Sequence, residues 1–406
     1  GDAKGARAAR EKALAIDGSD LQLRRALAWE DGGEVLDDMK RDGDAVVARY
    51  RANPMPENSA GVYVLDSSAV QLNPDGSTVE RTHLIARVVD QRGVSRLAEV
   101  KLPAGAEVLR MRTIKKNGRV LEPEHLGEKD GISLPGVEVG DLIEYEYLSS
   151  SGRRPPSMPG FASPKFYFQV ADAEVFHSIF EVRAPAGSGL EVDTHNMPGA
   201  KPVIEGGRER VVLERSRIAP LVPEPGQPGN DELVPWVQVG TGAGTEALLA
   251  SYGDLLIDRH RPNLEIERFA REAAAGKTGE DAVRAVYERV MQEVKGKESA
   301  GSPAAATLMQ GRGSRLMLLR SALTVLGIPT RQALARPFNA DPAAYRFPEG
   351  DLYAYPLLVV NLPGRAPLFL DPSVRFAPFG ELPLSVQDCE AALLPDVGGK
   401  LELVRT

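Results

Sequence analysis

Cysteine is almost missing from this chain of 406 residues: Cys389 is the only one. A single thiol excludes a disulfide within the chain and a zinc site built on cysteines. It fits a reducing compartment, and equally a periplasm in which cysteine is avoided. Histidine is scarce as well. There are five, and the last is His260, so nothing from 261 to 406 can supply an imidazole. His83, His125, His177 and His195 stand far apart, without metal-ligand pairing, and the expectation is no metal ion and no cofactor. No apolar run approaches the ~20 residues a membrane-spanning helix needs, so the chain is not expected to span a membrane. Basic residues are outnumbered, 49 against 57, for a net charge of −8. Such a balance does not suit a phosphate backbone, which argues against a nucleic-acid partner. The "GRGSR" stretch has no following Lys-Ser/Thr and no preceding strand, so it is not a phosphate loop.

Glycine and proline are plentiful, at 40 and 31, and imply many turns. The length implies two or three domains. Residues 1–58 read as helical. Ala6, Ala9, Ala13 and Ile16 form a small-residue stripe, and Ser19 or Asp20 can cap a second helix. From Gly61 the period changes to two. "VYVLDSSAVQL" and "TVERTHLIARVVD" flank a Pro-Asp-Gly turn, and "VLRMRTIKK" and "RVLEP" flank Asn117–Gly118, so both read as hairpins. "GDLIEYEYL", "KFYFQV", "VFHSIFEVRAP", "LEVDTHN" and "RERVVLERSRI" continue the strands, and 59–225 is expected to be an antiparallel β-sandwich-like domain. Residues 226–244, rich in Pro and Gly, read as a linker. From 245 helices return. Val283, Val286, Tyr287, Val290 and Val294 form an apolar stripe, and "RLMLLRSALTVLG" is a more uniformly apolar helix that should be central in its domain. Strand-like runs follow to 385. Helices followed by antiparallel strands make an α+β pattern, so the fold class is α+β multidomain. Residues 386–406 read as the start of a further β segment whose strands pack on an existing domain.

These stretches carry three resemblances. "ALAIDGSDLQLRRALA" is weakly similar to one tetratricopeptide unit. One such unit cannot bury its own face, so further repeats are expected upstream. Residues 61–148, with the two hairpins and "LPGVEVGDLIEYEY", resemble the β domain of unknown function that precedes transglutaminase-like domains in bacterial proteins. Residues 264–383 resemble the transglutaminase-like, papain-like core itself. There the family has a Gly-rich turn, a nucleophilic Cys opening a buried helix, a strand His and an Asp-Pro acid.

The family chemistry needs a thiolate at a helix N-terminus, an imidazole base and an orienting carboxylate. Counting forward from Leu308 puts Arg315 at the nucleophile position, and counting back from Gly327 puts Arg312 there. Ser314 beside them is a further fallback at that position, though a turn serine is ordinarily a helix cap. Tyr355 falls at the histidine position, and Asp371 alone matches the family. The resemblance with these departures implies a degenerate triad of Arg315, Tyr355 and Asp371 and no catalytic residues. Asp371 is expected to contact Arg315, Tyr355 or both, with the bidentate arginine fork favoured. The expected function is non-catalytic binding or scaffolding of a peptide, glycan or partner protein in the periplasm or cell envelope. The alternatives are an amidase or protease with a rearranged site using Cys389 or Ser314, and a structural piece of a larger envelope assembly.

Overall fold

The computed structural model describes residues 2–123, 131–153, 160–225, 227, 229–242, 244–340, 342, 346–347, 352–395 and 400–406. The chain folds into two compact units, one of residues 1–154 and 160–242, the other of residues 155–159 and 243–406.

The first unit opens with three helices, α1 (Ala3–Ile16), α2 (Leu21–Glu30) and α3 (Gly43–Ala52). Their starts are set by Asp2, Asp20 and Asp42, whose carboxylates accept from Gly5, Leu23 and Ala45 backbone N–H groups. Strands β1 (Gly61–Leu72) and β2 (Thr78–Val88) are joined by the Pro74–Asp75–Gly76 turn, in which Gly76 takes φ +82°. Then come α4 (Gln91–Leu97), β3 (Glu99–Val100), β4 (Glu107–Ile114), β5 (Val120–Leu121), β6 (Ile132–Ser133), β7 (Leu142–Ser151) and β8 (Phe166–Tyr167). The unit closes with β9 (Ala173–Pro185), β10 (Glu191–His195), β11 (Val203–Glu205), β12 (Arg208–Ile218), α5 (Asn230–Leu233) and β13 (Trp236–Gly240).

Eight strands form one sheet in the order β11-β12-β9-β1-β2-β7-β4-β5, and β10-β13-β8 form a second. Both expected hairpins are present. The small sheet packs Val237 and Val239 with Phe168, Phe180 and Val182 in one core, which gives the sandwich-like layering. Neighbouring strands of the large sheet are antiparallel except β1 and β9, which run parallel from Gly61↔Ala173 to Gln71↔Arg183.

Two domain boundaries need correction. Among the described residues, the helices of 1–58 have no core apart from the sheet. Val46, Val47 and Tyr50 of α3 bury against Val62, Val64 and Ile85, and Leu21 and Met39 bury against Ala69, Val79 and Leu148. Residues 226–244 are not only a linker, because β13 lies within them with all five residues buried. The strands after 385 pack on an existing domain, where they complete a sheet of the second unit.

That second unit has α6 (Thr245–Leu256), α7 (Leu264–Ala274), α8 (Gly279–Glu293), α9 (Ala304–Gln310) and α10 (Arg315–Val325), then β14 (Thr330–Ala335), β15 (Tyr355–Val360), β16 (Leu368–Leu370), β17 (Glu390–Leu393) and β18 (Glu402–Arg405). The strands make one antiparallel sheet, β16-β15-β14-β17-β18. The α8 stripe is buried as its periodicity predicts, and α10 is buried at every position from Arg315 to Leu323. The α7, α8 and α10 side chains share a core with Leu358, Val360 and Leu370 of the sheet. This core fixes the α10 N-terminus beside the start of β15 and the end of β16, where the sequence places its candidate residues. No helix among the described residues is long and apolar enough to cross a membrane.

Candidate functional site

Helix α10 begins where Gly313 lets the chain turn. This glycine takes φ +126°, and a Cβ on it would lie 2.5 Å from Thr307 Oγ1. The next residue, Ser314, is the N-cap. Its Oγ accepts from the Met317 N–H at 3.3 Å, and its own N–H donates to Thr307 Oγ1 at 3.0 Å. The cap expected from sequence is therefore in place, and Ser314 is 1 % exposed.

Arg315 follows as the first helical residue, and its guanidinium is turned inward. Nε donates to Val294 O at 2.8 Å, one terminal nitrogen to Gly296 O at 3.1 Å, and the other to Glu298 Oε2 and Ser373 O, both at 3.1 Å. The Arg315 backbone N–H also points at Glu298 Oε2, at 3.3 Å. One side chain thus fastens the 294–298 segment and the turn after β16 to the helix start. Burial pushes the Glu298 carboxyl above its ordinary value and outweighs the opposing pull of the Arg315 N–H and charge.

Asp371 is buried at the end of β16. Its Oδ2 accepts from the Tyr355 hydroxyl at 2.6 Å, and its Oδ1 accepts from the Ser373 N–H at 2.9 Å and the Ser373 hydroxyl at 2.6 Å. Burial and then the adjacent Asp371 carboxylate push the Tyr355 hydroxyl up to about 12. Tyrosine and not arginine is the carboxylate's partner, which reverses the order of preference read from sequence. The reason is local: Arg315 already has a carboxylate, Glu298, from the segment it fastens. The two polar groups meet through Ser373, whose carbonyl takes Arg315 while its N–H and hydroxyl serve Asp371. Arg312, the other counting solution, is exposed and bonds Gln310 Oε1, at 3.4 Å.

Glu298 is not marked by the sequence. It lies in "VKGKESAGSP", whose charges and glycines read as an ordinary loop. The one signal available is that a buried arginine at a helix start requires a buried acceptor set from elsewhere.

Beside Ser314 opens a pocket of about 450 Å³. Leu256, Met317, Leu334, Tyr353 and Pro356 supply much of its wall, with Ser314, Glu298, Gln332 and Ser373 as polar members. Gln332 is 4 % exposed, and its Oε1 has no hydrogen-bond partner among the described residues. Periodicity gives no means of finding it, because Gln332 follows two other polar residues in the short β14 run, Thr330 and Arg331. Cys389 is not at this site. It is buried beside β17, with Sγ 3.2 Å from Gln387 O. His260, the histidine of this unit, has Nδ1 3.4 Å from Leu256 O. No group of three or more His, Cys, Asp or Glu suited to a metal ion occurs among the described residues.

The profile of a domain of unknown function with a solved structure, DUF3857, matches residues 127–222. The match overlaps the stretch identified from sequence, 61–148, only at its end and extends further along the β domain. No curated protein matches the chain. Among solved structures, a protein from Parabacteroides distasonis ATCC 8503 named as a candidate protease is similar with a TM-score of 0.63 and 16% identity, over 86% of this chain and 72% of that one. A protein from Cytophaga hutchinsonii named as a candidate cysteine protease gives a TM-score of 0.24 and 12% identity, over 53% of this chain and 79% of that one. The first likeness shows a shared fold across most of the chain.

Proposed function

We propose that the C-terminal unit is a non-catalytic binding module whose pocket beside Ser314 takes an extended peptide segment with one apolar side chain. One observation carries the reading. The helix N-terminus, where a nucleophile and its oxyanion would find free N–H donors, is filled by the protein's own Ser314 and Glu298. The pocket next to it keeps an apolar wall and the unpartnered Gln332 Oε1. A peptide N–H would satisfy that oxygen, and an apolar side chain would bury against Met317, Leu334 and Tyr353.

A hydrolase reading draws support from the fold shared with a protein named as a candidate protease. Against it stands the chemistry of this chain. A thiol enzyme would need Cys389 to leave its burial and find an imidazole, and a serine enzyme would need Ser314 to give up its cap and find a base.

The test is calorimetric titration of the full chain with short acetylated peptides carrying one leucine, phenylalanine or tyrosine, with mass spectrometry of the same mixtures. Binding without cleavage or acyl transfer is expected. Gln332→Leu should weaken it roughly fivefold, the equivalent of about 1 kcal/mol for one hydrogen bond. Peptide turnover lost in Ser314→Ala or Cys389→Ala would overturn the reading, as would no binding by any of the peptides.

A further inference from the structure

A second concave surface of the C-terminal unit shares no residue with the pocket beside Ser314. It is a groove of about 810 Å³ between one face of α8 and the turn that follows β16. The α8 side contributes Arg284, Glu288 and Met291, with Lys295 just past the helix end; these are spaced three or four apart and so lie on one face. The facing turn contributes Arg375, Phe376 and Phe379.

Two properties set this groove apart. The first is charge. Three cations, Arg284, Lys295 and Arg375, line it against one acid, Glu288, on a chain whose net charge is −8. Arg284 lies over the Phe379 ring at 4.2 Å and has Glu280 at 3.7 Å. Lys295 and Arg375 are exposed and have no carboxylate partner among the described residues, although arginines elsewhere in the molecule are repeatedly ion-paired. The second is apolar exposure. Phe376 is 84 % exposed, with Arg375 5.1 Å from its ring centroid. Met291 and Phe379 pack partly against the core below.

We propose that this groove is a docking site for an acidic, extended polypeptide segment bearing one apolar or aromatic anchor residue. Carboxylates on the segment would pair with Lys295 and Arg375, whose charges are otherwise uncompensated. The anchor would cover Phe376 and the apolar floor, a cluster of the kind that concentrates binding energy at interfaces. A nucleic-acid occupant fits less well, because the positive field is confined to three side chains on an acidic molecule.

The experiment is fluorescence anisotropy of the full chain with a labelled peptide of glutamates around a central phenylalanine, run beside a lysine-substituted control and a single-stranded oligonucleotide. The glutamate peptide should bind, the lysine peptide should not, and added salt should weaken the complex. Lys295→Glu and Arg375→Glu should each weaken binding at least tenfold, and Phe376→Ala should do so while leaving the salt dependence unchanged. All three side chains are exposed, so folding should be unaffected, which circular dichroism would check. Equal binding of both peptides, preference for the oligonucleotide, or indifference to the three substitutions would each overturn the proposal. None of these variants touches the pocket beside Ser314, so failure here leaves the peptide-binding reading to its own test.

Discussion

In the N-terminal unit charge is buried along the length of the main sheet; in the C-terminal unit the deepest charges gather at one corner. Glu144 on β7 is fully buried and holds His83 at 2.9 Å, Arg110 at 3.1 Å and Arg112. Its neighbour Glu146 takes Arg81, which also reaches Glu34 and the Val35 carbonyl in the helical layer. Glu181 on β9, also fully buried, collects Arg41, Arg183 and Arg210. Arg112 goes on to Asp44 at the start of α3, and Arg183 to Asp38. These groups join the sheet to the helices that cover it. The main C-terminal core is apolar by contrast, and among the described residues the most deeply buried charges of that unit, Arg315 and Asp371, stand at the start of α10 and just past the end of β16. The comparison teaches that buried charge has different uses: as a seam between layers in one unit, and as a clasp on two loops in the other.

Substitution can break this contrast. Both tryptophans, Trp29 and Trp236, lie in the N-terminal unit, so their fluorescence reports that unit alone. The largest effect is expected from Glu144→Ala, which strands a buried histidine and two arginines. Tryptophan-detected urea unfolding should show a loss of about 3–5 kcal/mol. Arg315→Met should cost less, about 2–3 kcal/mol, because Glu298 is partly exposed and can be hydrated once released. That loss should appear in far-ultraviolet circular dichroism while the tryptophan transition stays in place. A shifted tryptophan transition would show that the two networks are not independent. Tyr355→Phe removes one hydrogen bond to a charged group and should cost about 1.5–3 kcal/mol in the same assay. Cys389→Ala is expected to be the mildest, about 1 kcal/mol or less, with peptide binding unchanged.

Acid sharpens the contrast further. Burial alone would raise the Glu144 carboxyl, but hydrogen bonds from His83 and Arg112 outweigh it and hold the group at about 2, against an ordinary 4.5. A depressed carboxyl stabilises the fold above its unfolded value. That contribution is present above about 4.5 and is lost as pH falls toward about 2. Tryptophan-detected stability should decline across this window, and Glu144→Gln should flatten the decline. An unchanged slope in that variant would move the acid sensitivity elsewhere.

Much of this architecture can be read from sequence because it is local. The two hairpins declare themselves through Pro74–Asp75–Gly76 and Asn117–Gly118, the α8 stripe through its period, and α10 through uniform apolarity. The site is legible only in part. Asp371 and Tyr355 stand within a short hairpin of one another, so counting brings them together. Glu298 reaches the α10 N-terminus through a loop that no periodicity marks, and that contact decides where Arg315 points. The strand β13 is hidden because the Pro- and Gly-rich residues before it dominate the composition of 226–244. Pairing between β1 and β9 is hidden for a different reason: strand register across so long a separation leaves no local trace.

That parallel pairing bears on how the chain acquires its fold. Strand β1 can zip with β2 as soon as their turn closes, but its other edge stays open until Ala173–Pro185 arrives from far along the chain. Closing so large a loop is slow compared with forming a hairpin. During synthesis the half-built sheet therefore presents an unpaired central strand, including Val62, Val64 and Val70, which are nearly or wholly buried once the fold is complete. An exposed apolar edge of this kind is a template for pairing between chains. The interval before β9 docks is accordingly the stage at which aggregation is expected to be greatest.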